Sequence, residues 1–130
     1  MDREPVGVRS NLGAALAISP ESIGFRVDRR EATGELILAI HGEADLATAP
    51  FLAEALGEAS GNGHQHVVLD AAGLDFIDAH CLNVIVNARL FLREQGKALV
   101  VRSPATHVRR LLAICDIEDL LESRIAALHL

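Results

Sequence analysis

The chain has 130 residues, of which 50% are hydrophobic and 23% are charged, so we expect one compact domain with a core rather than a disordered tail. Its only aromatic residues are four Phe, which predicts an aliphatic core and excludes a base-stacking surface for single-stranded nucleic acid. A formal net charge of −6 argues against nucleic acid and anionic membranes as partners, because both bind basic patches.

The two cysteines, Cys81 and Cys115, have neither metal-ligand spacing nor the density of a disulfide framework. We therefore expect no metal, no cofactor and a reducing compartment. Residues 1–5 are not followed by the apolar run of a signal peptide. No stretch approaches the roughly 18 continuous apolar residues of a membrane-spanning helix. These features predict a cytoplasmic protein without direct membrane insertion.

Residues 1–22 show no sustained periodicity, and Ser19-Pro20 interrupts a short apolar run. We expect an N-terminal extension that is flexible or loosely docked, followed by a single domain over residues 23–130. The alternation in Phe25–Asp28 predicts a half-buried strand, and Glu35–His41 predicts a second strand after a turn that contains Gly34. Together these patterns predict an antiparallel hairpin.

The next apolar residues, from Leu46 to Leu56, fall at helical spacing, with Pro50 in the first turn and Asp45 or Thr48 as the cap. A glycine-rich loop then precedes His66–Asp70, whose continuous apolar character predicts a buried central strand.

A second helix is expected from Ala79 or His80 to about Gln95, with Gly96 as its C′ residue. Lys97–Val101 predicts another buried strand, and Ser103-Pro104 predicts a third helix with Pro at its first position. Residues 116–130 are ambiguous between a short strand and a terminal helix. The order predicts an α/β fold with a mixed sheet of four or five strands and helices mainly on one face.

Three segments together resemble STAS domains, the family of bacterial anti-sigma-factor antagonists. They are Gly-Glu-Ala-Asp-Leu-Ala-Thr-Ala-Pro at 42–50, the strand and loop at 68–78, and the helix at 108–117, which has Cys115 or Asp116 where the family usually has Gly. The resemblance covers roughly residues 23–122. It implies a STAS-like single domain and a non-enzymatic, partner-switching function in which a kinase phosphorylates a Ser or Thr just after a loop aspartate.

In this chain Asp78 matches the loop aspartate, and His80 stands at the position of the phosphoacceptor hydroxyl. Cys81 replaces the usual Gly. The loop contains no Ser or Thr, so the usual switch is absent from it. The resemblance implies an anti-sigma factor or serine-kinase-like protein as partner, and a homodimer stays open. The residues expected to bind the partner are Asp45, Thr48, Asp78, Ala79, His80, Cys81, Leu82 and Val86.

Considered without the resemblance to the family, these residues allow several interpretations. Asp78 can simply cap the second helix. His80 can be an interface residue, a phosphohistidine acceptor or a metal ligand. Cys81 can be a buried apolar residue or, at a helix N-terminus, a redox-sensitive thiol with a lowered pKa. Leu82, with Val86 and Leu90, can form an exposed apolar strip or lie under the third helix or the N-terminal extension. The chain can also be an accessory STAS subunit of a membrane transporter.

Overall fold

The computed structural model describes residues 24–32, 34–61 and 66–122. The elements of these ranges, in chain order, are β1 (Phe25–Ala32), β2 (Glu35–Ala44), α1 (Ala49–Ser60), β3 (His66–Ile77), α2 (Ala79–Glu94), β4 (Ala98–Arg102), α3 (Thr106–Ile114) and a short 3-10 helix (Glu118–Leu120). The expected extension at residues 1–22 and the end of the chain after Glu122 lie outside the described residues.

The strands form one sheet in the order β1-β2-β3-β4. The predicted hairpin is confirmed, since β1 pairs antiparallel with β2, while β2, β3 and β4 run parallel. Beyond β4 there is a single parallel bridge between Val101 and Leu121 instead of a fifth strand in the described residues. The predicted α/β class with a mixed sheet is therefore confirmed.

The core lies on the helix-covered face of the sheet. Leu36, Leu38 and Ile40 alternate along β2 and are each at most 2% exposed, because successive side chains of a strand point to opposite faces. Leu52 and Leu56 of α1 pack in the same cluster, as do residues of α2 and α3. Full burial of each such side chain contributes about 1.5–3 kcal/mol to folding. This packing confirms the helices on one face.

Strands β2 and β3 are longer than the sequence patterns predicted. β2 continues past His41 to Ala44, and β3 continues past Asp70 to Ile77. Two register shifts between these strands, near His41 and Gly42, interrupt the simple alternation. A bulge adds an extra residue to one strand, so the alternation of buried and exposed side chains shifts at that point. The sequence pattern then no longer shows a continuous strand.

Gly96 ends α2 as predicted, but Pro104 does not begin α3 as predicted. Gly96 has a φ of 76°, and the N–H of Lys97 donates to the carbonyl oxygen of Leu92, which closes α2 as expected. Pro104 is not at the first position of α3, because the N-cap is Ala105. At the end of α3, Asp116 adopts a φ of 60°, the conformation that glycine takes most readily.

Gly42 of β2 lies against Gly24, the residue that precedes β1. Its φ is 97°, and a Cβ atom at this position would lie 1.6 Å from the carbonyl oxygen of Gly24. The same carbonyl accepts a hydrogen bond from the N–H of Glu43 at 3.3 Å. A side chain at residue 42 would therefore require the chain at Gly24 to move away.

We predict that Gly42→Ala lowers the free energy of unfolding by about 2–5 kcal/mol. The substitution puts a Cβ atom on a residue with a left-handed φ and pushes that atom against the backbone of Gly24. The matched control is Gly57→Ala, which places the same methyl group in open space on α1 and should raise stability by about 0.5–1 kcal/mol. Urea denaturation of both variants measures the difference. Equal effects of the two substitutions would contradict the prediction.

Candidate functional site

The candidate site is the edge of the sheet at which β2 and β3 end side by side. Because the two strands are parallel, their carboxyl ends meet at one edge, where α1 and α2 both begin. The N–H of Asp78 donates to the carbonyl oxygen of Ala44 at 3.0 Å and ties the two loops together. We call residues 43–48 and 75–80 the loop edge.

The first half of the loop edge is held by Asp45 and Thr48. The Asp45 carboxylate accepts the N–H groups of Ala47 and Thr48 at 3.0 and 3.2 Å. The Thr48 hydroxyl accepts the N–H of Asp45 at 2.8 Å and donates to the carbonyl oxygen of Glu43 at 3.0 Å. Thr48 is only 1% exposed and occupies the N-cap position of α1 without a capping bond from its own side chain. These bonds fix the shape of the turn.

The second half is organised by Asp78, whose predicted role as the N-cap of α2 is confirmed. Its carboxylate accepts the N–H of Cys81 at 2.9 Å, which satisfies one of the free donors of the first helical turn. Ala79 and His80 follow in that turn, and both are exposed. The side chain of His80 is therefore open to solvent.

Cys81 of α2 connects the two halves of the loop edge from the buried side. Its side chain is completely buried, and its thiol donates to the carbonyl oxygen of Asp45 at 3.2 Å. Burial, followed by the negative charge of Asp78, raises the pKa of the Cys81 thiol to about 12. The helix N-terminus therefore does not lower this pKa, and the structure argues against a redox-sensitive thiolate at Cys81, because the reactive form is the thiolate.

The structure separates the expected partner-binding residues into two sets. Ala79 and His80 are exposed, and three more are partly exposed, namely Asp45, Asp78 and Val86. Thr48, Cys81 and Leu82 are buried and support the loop edge from inside.

The expectation of an exposed strip along α2 is wrong at Leu82. This side chain is 4% exposed and faces an internal space that is also lined by Val108, Leu112 and Leu120. The third helix and the segment after it therefore cover it, as the alternative interpretation held. Val86 is partly exposed and Leu90 is 49% exposed, so the strip becomes more open toward the far end of the helix. A charge at Leu82 would test folding rather than binding.

Two exposed apolar residues at the loop edge were not recognised as site residues from sequence. Leu46 was assigned to the apolar face of the first helix, yet it lies in the turn before α1 and is 70% exposed. Phe76 lies one residue before the end of β3 and is 45% exposed. The available signal was the position of Leu46 before Thr48, since a residue that precedes the N-cap lies outside the helix.

The described residues do not support a metal site. Among residues 24–32, 34–61 and 66–122, no three His, Cys, Asp or Glu side chains form a group that could hold a metal ion. Within the same ranges no helix has the length and apolarity needed to cross a bilayer.

Comparisons with known proteins point to one family. The family model described as "Mlab, STAS domain" matches residues 27–122. None of the curated proteins matches the chain.

Solved structures with the same fold include three anti-sigma factor antagonists or candidates. The protein from Mycobacterium paratuberculosis is 24% identical, with a TM-score of 0.65 over 81% of this chain and 92% of that one. A candidate antagonist from Thermotoga maritima is 19% identical, with a TM-score of 0.69 over 79% and 92% of the two chains. SpoIIAA in its unphosphorylated form is 13% identical, with a TM-score of 0.65 over 80% and 92%. At these identities the likeness establishes the shared fold alone.

We predict that iodoacetamide at pH 8 alkylates Cys115, which is exposed, and spares Cys81 in the folded chain. A pKa of about 12 leaves roughly one Cys81 thiol in 10,000 ionised at this pH. Peptide mass spectrometry measures the modification of each cysteine, and the same treatment in urea is the control in which both react. Equal labelling of the two cysteines without urea would contradict the assignment.

We also predict that Asp78→Ala lowers the free energy of unfolding by about 1 kcal/mol, because the N–H of Cys81 loses its acceptor. Asp78→Asn keeps an acceptor oxygen and should cost less. Urea denaturation of both variants tests the cap. An equal loss in the two variants would show that the charge of Asp78, and not its hydrogen bond, stabilises the fold.

Proposed function

Because the chain belongs to the STAS domain family, we propose that it is a cytoplasmic regulatory protein of the anti-sigma-factor-antagonist type, with no enzymatic activity of its own. In this proposal it binds an anti-sigma factor or a serine-kinase-like protein through the loop edge. Asp45, Asp78, Ala79 and His80 of the loop edge contact the partner, together with Val86 farther along α2. The buried residues Thr48, Cys81 and Leu82 hold those contacts in place.

The observation that carries the proposal is the rigid construction of the loop edge. Backbone and side-chain hydrogen bonds fix both halves of it, through Asp45, Thr48, Asp78 and Cys81. A backbone that is already fixed loses little conformational entropy on binding, which favours recognition of a protein surface. The neutral, buried thiol of Cys81 supports a structural rather than a catalytic role.

The loop edge offers a kinase no accessible hydroxyl. Its one hydroxyl belongs to Thr48, which is 1% exposed, accepts the N–H of Asp45 and donates to the carbonyl oxygen of Glu43. Phosphorylation of a STAS loop adds a charge of about −1.5 to −2, which disrupts a packed interface. His80 occupies the corresponding position here, so we propose that binding is not silenced by Ser/Thr phosphorylation at this loop.

The same observation favours a second candidate function, the accessory STAS subunit of a membrane transporter. A permanent subunit requires a docking surface that cannot be switched off, and a loop edge without an accessible hydroxyl meets that requirement. The two candidates differ in the partner, which is a regulatory kinase in one case and a transporter component in the other.

We predict that one anti-sigma factor of the source organism binds the purified chain, and that His80→Arg weakens this binding about tenfold or more, because the interface must then desolvate a permanent positive charge at a cost of more than about 1.4 kcal/mol. Isothermal titration calorimetry with each purified anti-sigma factor measures the affinity. The control is His66→Arg, the same substitution at an exposed position at the opposite end of β3.

Incubation with the bound kinase and ATP, followed by intact-mass analysis, tests the absence of the switch. An added phosphate group on residues 76–84 would overturn that part of the proposal. If no anti-sigma factor binds and a transporter subunit does, the second candidate replaces the first.

A further inference from the structure

Two large apolar side chains are exposed at the loop edge, and the proposed contacts do not account for them. Leu46 is 70% exposed and Phe76 is 45% exposed. Ile77, directly after Phe76, pairs with Ala44, and Leu46 follows two residues later. Both side chains therefore belong to the same end of the same two strands, in a chain where most large apolar residues are buried.

A β-bulge directs Phe76 outward. The register passes from Gly42 opposite Leu74 to Glu43 opposite Phe76, so Asp75 is an extra residue on β3. Ile77 and Ala44 are in the core, and Phe76 and Glu43 therefore point away from it by the alternation of a strand. Bulges commonly turn a side chain toward a functional surface.

The bulge is tied to the third helix. The ring nitrogen Nε2 of His107, in the first turn of α3, lies 2.6 Å from the carbonyl oxygen of Asp75 and donates a hydrogen bond to it. The exposed position of Phe76 is thus part of a fixed arrangement.

The rim of this apolar pair is acidic. Glu43 and Asp75 are exposed, while Asp45 and Asp78 are partly exposed. No Lys or Arg occurs in residues 43–48 or 75–80. The two short segments that carry Leu46 and Phe76 thus also carry four carboxylates, which together create a local negative potential that attracts basic groups.

We propose that Leu46 and Phe76 are the apolar centre of the partner surface, and that the four carboxylates select a protein segment in which an apolar side chain is flanked by Lys or Arg. The inference rests on the proposed function and adds the chemical character of the partner's binding segment. An interface of this kind draws most of its affinity from a small apolar centre and its association rate from charge. A second copy of this chain is a poor occupant, since it would bring another acidic rim to the first.

The test uses the full chain, immobilised, and a displayed library of random peptides. We expect the enriched peptides to combine aromatic or aliphatic residues with Lys or Arg. A synthetic peptide from this set should bind at least about tenfold more weakly to Leu46→Ser and to Phe76→Ser, as hot-spot residues do. Its affinity should also fall with added salt, because exposed charges are screened.

The matched controls are Leu90→Ser and Phe91→Ser, which remove apolar side chains of similar exposure from α2, away from the loop edge. These should leave the affinity unchanged, and circular dichroism checks that all four variants are folded. No enriched peptide, peptides without basic residues, salt-independent binding, or equal losses in the controls would each overturn the inference.

Failure of the proposed function is a separate result, because it appears in the titrations with anti-sigma factors. A shift of the wild-type chain to dimers in light scattering, abolished by Phe76→Ser, would replace the partner with a second copy and overturn the inference as well.

Discussion

The parallel pairing of β2 with β3 is the constraint on which the rest of the site depends. It brings two strand ends, two loops and two helix starts to one edge, which no antiparallel arrangement of these strands would do. The bond from the N–H of Asp78 to the carbonyl of Ala44 continues the pairing into the loops. The thiol of Cys81 then reaches the carbonyl of Asp45 and locks the loops together. Each loop has its own internal hydrogen bonds, and these two bonds fix one loop relative to the other.

This arrangement accommodates two residues that the resemblance to the family marks as unusual. By that resemblance Cys81 stands where glycine is usual, and here its small side chain is buried and its thiol finds a carbonyl acceptor. Under the proposed function His80 takes the position of the phosphoacceptor hydroxyl, and residue 80 is exposed, which leaves room for an imidazole. Under the same proposal, this histidine gives a Ser/Thr kinase no hydroxyl to act on and leaves the binding surface in place.

Much of the fold could be predicted from the sequence, because strand and helix periods are local properties. The hairpin, the central strand at His66, the glycine that ends α2 and the cap at Asp78 all follow from short-range patterns. The extension of β3 to Ile77 could not be predicted in this way, since its bulges depend on the partner strand. Pro104 was also misassigned, because a proline before a helix suits either the first turn or the residues that precede the cap.

For the site, the sequence by itself determined which groups are present: an aspartate that caps α2, a histidine two residues after it and an edge without Lys or Arg. Only the tertiary structure decided which of these groups meet solvent. It buried Leu82 under α3, raised the pKa of Cys81 by enclosing it beside Asp78, and left Leu46 and Phe76 exposed. The physical reason is that a helix or strand pattern specifies one face of its own element, whereas burial and pKa depend on what distant segments place against it.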